Sequence, residues 1–375
     1  MAQHYISRYN CYNTRMKILY VITSTDVGGA ENALVSLVKA LSPLHTLRIV
    51  SLKPLGELAK QLPQNSVVSL EMTGAGLGCV SKLKREIESF KPDIVHAMLF
   101  RAIEFSRLAC AGQNLKLITT PHFDLSQKPL WMRWLDRSLK SIDTLSTAES
   151  VSTYNYLLDH QHYAKQKTVL IANSVKKSLF FKDNSIRERM RAENGFSEQD
   201  VIFMSVARLA AVKNPLTTLR AFEKILLTCP HAKLVFVGEG GERKKLEAFI
   251  TEKGLKNNVF LVGFQQNIND WLNMADVFVL LSKEESLPLA LLEAKQVGLP
   301  CLVSRVGDMP AQIKHGEMGF VCNPQDEVVI SCLLTELYEG KKLRQKMGEN
   351  NLNSMAQAPD CSQQYQQLYQ QIMGK

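Results

Sequence analysis

The chain is 375 residues long, enough for two domains and too long for one small module. Its 45% apolar and 22% charged residues exclude a disordered or fibrous chain, and no apolar run approaches the ~18 residues of a membrane-spanning helix. The formal charge of +9 is uneven, with 20 Lys and Arg against 13 Asp and Glu in residues 1–170 but 25 against 23 in 171–375, so the first half is expected to face an anionic partner.

Eight cysteines, at 11, 79, 110, 229, 301, 322, 332 and 361, form no CxxC pair and no metal-ligand spacing. They read as reduced thiols of a cytoplasmic protein without structural zinc. Residues 1–15 lack the apolar core of a secretory signal and read as an N-terminal extension, with translation expected to start at Met16.

From residue 16 onward, short apolar runs alternate with helical-period segments. Runs 17–23, 47–51, 67–71, 93–98, 117–121, 144–148 and 169–172 predict strands; amphipathic segments 30–41, 81–90, 101–110, 129–140 and 149–158 predict the helices between them. After a charged, irregular stretch at 173–184 the pattern restarts. Strands are predicted at 201–207, 233–237, 259–262, 277–281, 301–304 and 320–322, with helices near 215–228, 242–252, 268–274 and 288–297. Such alternation predicts two doubly wound parallel sheets in tandem, facing each other across a cleft. Tyr365, Leu368, Tyr369 and Ile372 recur at helical spacing and predict a docked C-terminal helix.

Ligands of parallel sheets bind at the carboxyl ends of the strands, which selects a short group of residues. Gly28 and Gly29 follow the first strand and open a helix, where free amides meet anions, although a plain tight turn uses the same residues. No GxGxxG follows a strand, so a dehydrogenase is disfavoured. Between Glu285 and Glu293, Pro288 suits the first helical position and Gly298 the C′ position, placing free amides at Leu289 and Ala290. Glu293 then lies about 7.5 Å along the helix axis from its start, a reach that suits a ribose diol. Arg208 and Lys213 follow the strand at 201–207 and supply cations for a diphosphate.

His122 follows the strand at 117–121 and is read as functional, touching a sugar hydroxyl or nascent charge. His96 is read as structural, and Asp124 is a weaker site candidate. No Asp-x-Asp offers paired carboxylates for a divalent cation, so metal-independent chemistry is expected. Trp131 and Trp134 share the 129–140 helix with Arg133, Arg137 and Lys140, next to Lys128. This pattern suits either a tryptophan stripe packed on the sheet or an interfacial helix on an anionic membrane.

Taken together, Gly28-Gly29-Ala-Glu31, Asp93-Ile-Val-His96, Pro121-His122, Val206-Ala-Arg208, Lys213-Asn-Pro, Val262-Gly263-Phe264 and the Glu285-to-Glu293 block resemble the retaining glycosyltransferases of family 4. The resemblance implies an α/β GT-B fold of two facing Rossmann-like domains with an interdomain cleft: an acceptor-side domain at 16–175 joined by the C-terminal helix 362–375, and a donor-binding domain at 176–361. It implies transfer of a sugar from a nucleotide-sugar, a UDP-sugar foremost, to a glycan or lipid-linked acceptor in cell-surface polysaccharide or lipopolysaccharide assembly. Arg208, Lys213, Leu289 and Ala290 would hold the diphosphate, Glu293 the ribose, and Glu285 with Ser286 the donor sugar. Gly263 and Phe264 would lie by the base, Gly28 and Gly29 under the phosphates or acceptor, and His122 against the sugar. No cofactor or metal is implied.

The sequence departs from the family pattern at Ser286, where glycine is common, and at Gly307-Asp308-Met309-Pro310-Ala311, which replaces Gly-Gly before Pro-Glu. An epimerase or phosphorylase on the same fold, and a non-catalytic nucleotide-sugar scaffold, are the alternative readings. Nucleic acid is ranked last as a partner, for want of any motif. The expected location is cytoplasmic, with peripheral contact at the inner face of the membrane.

Overall fold

The computed structural model describes residues 15–74, 76, 78–122 and 129–374. Strands β1 (Lys17–Ile22), β2 (Thr46–Ser51), β3 (Val67–Ser69), β4 (Ile94–Met98), β5 (Lys116–Thr120), β6 (Leu145–Ala148) and β7 (Thr168–Leu170) form one parallel sheet in the order β3-β2-β1-β4-β5-β6-β7. Strands β8 (Val201–Val206), β9 (Ala232–Val237), β10 (Val259–Gly263), β11 (Val277–Leu280), β12 (Cys301–Ser304) and β13 (Gly319–Cys322) form a second, ordered β10-β9-β8-β11-β12-β13. In each sheet the order reverses beside its first strand, which opens a crevice at the carboxyl edge there.

The first sheet is flanked by α1 (Gly29–Leu41), α2 (Cys79–Phe90), α3 (Phe100–Cys110), α4 (Leu130–Leu139) and α5 (Val151–Asp159). The second carries α6 (Asn184–Glu193), α7 (Pro215–Ile225), α8 (Arg243–Glu252), α9 (Ile268–Met274), α10 (Leu289–Val297), the short α11 (Met309–Gln312), α12 (Glu327–Glu339) and α13 (Lys341–Ala356). Each sheet is covered on both faces. Ile18, Tyr20 and Ile22 of β1 point into one apolar layer and Leu19 and Val21 into the other, which is why the strand reads as an unbroken apolar run.

The final helix, α14 (Cys361–Ile372), lies on the first domain, where Tyr365, Leu368 and Tyr369 are buried with Met16, Ile18 and Tyr20. Here His96 is fully enclosed: its Nδ1 is 2.7 Å from the Tyr369 hydroxyl and its Nε2 2.7 Å from Thr120 Oγ1. Burial pushes its pKa down to about 3, so it is a neutral packing residue.

Sequence and structure part at several places. The stretch read as irregular up to residue 184 gives way at once to α6, whose N-terminus is capped by the Asp183 carboxylate accepting from the Ser185 and Ile186 amides. Helices α12 and α13 occupy 327–356, where the sequence pattern assigned no element. Pro288 is the N-cap of α10, extended at φ −71° and ψ 129°, and the helix begins at Leu289; Gly298 closes it in the left-handed region at φ +83°.

Arg107 is completely buried and binds three carboxylates, Glu104 at 2.8 Å, Asp136 at 2.9 Å and Asp143 at 2.6 Å. This network turns Asp136, the one acid of α4, inward. The opposite side of α4 is open, with Leu130, Trp131 and Trp134 exposed at 77%, 63% and 69%. The tryptophans do not form the sheet-packed stripe that was one of the two readings. No helix among the described residues is long and apolar enough to cross a membrane.

Candidate functional site

The carboxyl ends of β1, β5, β8 and β11 converge on the cleft between the domains. From β8 come Arg208, exposed, and Lys213, in the short turn before α7. From the loop after β11 comes Glu285, whose Oε1 lies 2.5 Å from Lys213 Nζ and accepts from Ser282 Oγ at 2.8 Å. This loop leads into α10, where Pro288 supplies no amide and Leu289 and Ala290 begin the helix with donors unused by its own ladder. The two expected cations, the first glutamate and the helix tip therefore belong to one wall.

Glu293 sits one turn further along α10, in the same wall. Burial raises its pKa to about 7, and among the described residues no side chain or backbone group hydrogen-bonds it. A partly enclosed carboxylate without donors is suited to receive the two hydroxyls of a diol.

Across the cleft, Gly28 is held in an extended conformation at φ −162°. A Cβ there would come 2.2 Å from Glu31 Oε2, the far end of a flexible side chain that would have to swing aside. A Cβ at Gly29 would meet nothing within 4 Å. Burial raises the Glu31 pKa, opposed by a 3.2 Å hydrogen bond from Ser24 Oγ and by the nearby Arg208 charge of the other domain. Arg208 thus lies within electrostatic reach of Glu31, in the first turn of α1.

His122 follows β5 with φ +55°, the left-handed region, which aims its ring differently from a strand residue. Its Nε2 is buried and has no hydrogen-bond partner among the described residues. Burial pushes its pKa down to about 4, so the ring is neutral at pH 7 and can serve a hydroxyl. Asp124 and Lys128 lie outside the described residues.

Phe264 follows β10 directly, in the donor-side domain. It lines a cavity of about 680 Å³ with Arg189, Gln265, Asp270 and Trp271, and the phosphate-side residues are not among its walls. Gly263, at φ +74°, ends β10 and accepts from the Gly238 amide at 2.8 Å.

Contacts the sequence did not reveal join the two walls. Asn173 Nδ2 donates to the Leu287 carbonyl at 2.9 Å, Thr153 Oγ1 approaches Ser286 Oγ at 3.4 Å, and the Asp308 carboxylate receives the Val151 and Ser152 amides. The signals in the sequence were Ser286 and Asp308, polar residues where the family pattern has glycine. No cluster of three potential metal-ligating side chains occurs among the described residues.

With this geometry the comparisons with known proteins agree. The model for glycosyl transferases group 1 matches residues 186–354, and that for glycosyltransferase family 4 matches 27–178, so the two together span most of the chain. The chain belongs to the family 4 glycosyltransferases. It is 27% identical over 308 residues to an N-acetyl-alpha-D-glucosaminyl L-malate synthase of Bacillus anthracis, a match covering 79% of each chain. It is 35% identical over 135 residues to the Escherichia coli UDP-Gal:alpha-D-GlcNAc-diphosphoundecaprenol alpha-1,3-galactosyltransferase, covering 35% of each. Among solved structures, Anabaena Alr3699/HepE in complex with UDP and glucose superposes with a TM-score of 0.84 at 20% identity, covering 96% of this chain and all of that one. This likeness establishes the GT-B fold, and the matched families establish a glycosyltransferase.

Proposed function

We propose that this glycosyltransferase moves a hexose from a UDP-sugar to a hydroxyl of a glycan or lipid-linked acceptor, with retention at the anomeric carbon and without a bound metal, in the assembly of a cell-surface polysaccharide. The observation that carries the reading is the wall formed by Arg208, the Lys213–Glu285 pair and the α10 tip, with unpaired Glu293 one turn beyond. Two cations and free helix amides supply the charge neutralisation that a divalent ion supplies elsewhere. The UDP and glucose found in one structural relative, and the UDP-galactose and diphosphoundecaprenol in the name of another relative, support this donor and acceptor class.

In the proposed reaction the bond from the anomeric carbon to the β-phosphate oxygen breaks, and its electron pair stays on the phosphate. The acceptor oxygen bonds to the same face of the sugar, and its proton passes to the departing phosphate oxygen. Lys213 and Arg208 stabilise the leaving diphosphate, Glu285 orients the sugar, and neutral His122 contacts a hydroxyl from the acceptor side.

Membrane contact belongs to the same reading. The only acid of α4 is turned inward onto Arg107, and exposed Leu130, Trp131 and Trp134 share the segment with Arg133, Arg137 and Lys140, of which Arg137 donates to the His160 carbonyl and Lys140 to those of Gln161 and His162, a basic and aromatic pattern that suits the anionic cytoplasmic leaflet. A lipid-linked acceptor would then meet the cleft near His122, a few residues upstream of α4.

The purified chain incubated with UDP-hexoses and an undecaprenyl-diphosphate glycan should give UDP and a lengthened acceptor, undiminished by EDTA. Donor consumption of equal rate without acceptor would instead support the epimerase reading. Co-sedimentation with anionic vesicles at low salt, weakened in a W131A/W134A variant, tests the membrane contact.

A further inference from the structure

Asp308 belongs to the donor domain, yet its carboxylate closes the N-terminus of a helix in the acceptor domain. The Val151 amide donates to Oδ2 at 2.6 Å and the Ser152 amide to Oδ1 at 2.9 Å. These are the first two amides of α5, which the helix cannot satisfy itself, and Ser150 Oγ takes the third, from Thr153, at 3.0 Å. Asp308 is only 7% exposed, so a charge-assisted pair of hydrogen bonds and the positive helix end act in a partly dry junction.

Both ends of this contact reach the site. On the donor side, the Asp308 amide donates to the Ser286 carbonyl at 2.8 Å, and Gly307 packs so closely on the Glu285 carbonyl that a Cβ would stand 2.1 Å from it. On the acceptor side, α5 begins two residues after Glu149, a buried carboxylate that accepts from Thr153 Oγ1 at 2.8 Å and lies beside the His122 backbone. A set of hydrogen bonds thus runs from Glu149, beside the His122 backbone, through the α5 tip to Asp308, and from there to the backbone carrying Glu285 and Ser286.

We infer that Asp308 is a positioning residue for glycosyl transfer, fixing the His122 wall against the donor-sugar loop across the cleft. It touches neither donor nor acceptor. Its effect is to hold the two walls at one separation, so that the acceptor hydroxyl meets the anomeric carbon in register. Its kinetic readout rests on the transfer reading above; the contact itself does not.

The test uses the full chain with D308A and the near-isosteric D308N, read by hydrogen exchange of the α5 N-terminal amides, by UDP calorimetry and by steady-state turnover. In D308A the Val151 and Ser152 amides should exchange about tenfold faster or more, and kcat should fall by a similar factor, as expected for losing hydrogen bonds to a charged partner. UDP affinity should stay within about twofold, because the substitution removes only the side-chain bonds to α5 and leaves Arg208, Lys213, Glu293 and the α10 tip in place, with the Asp308 backbone still donating to the Ser286 carbonyl. Added sodium acetate should restore part of both amide protection and turnover by occupying the vacated helix end. D308N, which keeps one acceptor oxygen and the side-chain volume, should lie between wild type and D308A. Wild-type exchange and turnover in D308A, or equal loss of UDP affinity and turnover without acetate rescue, would overturn the inference. If the wild-type chain transfers no sugar from any donor tried, accelerated exchange in D308A still upholds the interdomain contact while the transfer reading falls.

Discussion

Lys213 Nζ and Glu285 Oε1 stand 2.5 Å apart, a cation from the loop after β8 held by a carboxylate from the loop after β11. Without ligand, each neutralises the other; a diphosphate at the α10 tip would draw Lys213 toward itself and leave Glu285 to the sugar, still anchored by Ser282 Oγ at 2.8 Å. Lys213→Ala should therefore weaken UDP binding by about tenfold to a hundredfold, the loss of one charge-assisted contact. Glu285→Ala should leave UDP binding unchanged or tighter, because Lys213 is released, while kcat falls by about a hundredfold or more, as when an oriented polar contact to the reacting group is removed. Calorimetry and steady-state kinetics on both variants separate the two roles; the reverse ordering would reassign them.

Glu293 gives a pH signature. Its pKa is raised to about 7 by burial, so the folded protein holds this proton more tightly than the unfolded chain, and ionisation costs the unliganded protein stability as pH rises through 7. Glu293→Gln should accordingly melt at a higher temperature than wild type at pH 8 and show no such gain at pH 5. Ligand binding runs the other way: the ionised carboxylate accepts from both ribose hydroxyls, so UDP affinity should rise between pH 6 and 8. In the Gln variant that rise should disappear, together with much of the affinity.

Neutral His122 makes a different prediction. With its pKa pushed down to about 4 by burial, the ring carries no charge across the working pH range, so turnover should show no ionisation near 6.5 from this residue. His122→Ala should lower kcat by about tenfold to a hundredfold through a lost hydroxyl contact, within the range of positioned proton-sharing groups. His122→Asn, which keeps a polar atom, should recover part of it. Unchanged kcat in the alanine variant would make the ring a packing residue like His96.

The thirteen strands were legible because strands covered on both faces must be continuous apolar runs, and Rossmann-type alternation then dictates where ligands bind. Helix α6 was hidden because its sequence, NSIRERMRAE, is dominated by charge; its legible signal was the Asp183 cap. In α13 the pattern was masked by Gly348 in mid-helix, a residue required because a Cβ there would come 2.2 Å from the Gly298 carbonyl. The residues gripping the proposed diphosphate were legible since a loop, a helix tip and nearby bases are local features. The link from Asp308 to α5 pairs residues 156 and 157 positions apart, and no spacing rule foretells it. Nor could helical periodicity say which way the tryptophan stripe of α4 faces; only the inward turn of Asp136 onto Arg107 settles that.

Gly307 offers the sharpest steric test of the donor loop. Its φ of +53° lies in the left-handed region, which costs a residue with a Cβ roughly 1–2 kcal/mol. The added carbon would also stand 2.1 Å from the Glu285 carbonyl and 2.6 Å from that of Ser286, both backbone atoms that cannot swing away. Gly307→Ala must therefore displace the segment carrying Glu285, and with it the Lys213 partnership. Expected are a stability loss of about 1–3 kcal/mol in denaturant unfolding and a fall in kcat larger than the fall in UDP affinity. Gly241→Ala is the matched control in the same domain: nothing lies within 4 Å of its Cβ and no positive φ is involved, so both quantities should stay near wild type. A Gly307→Ala variant with wild-type stability and turnover would mean that the loop tolerates another path, and that Glu285 is not held where this geometry requires.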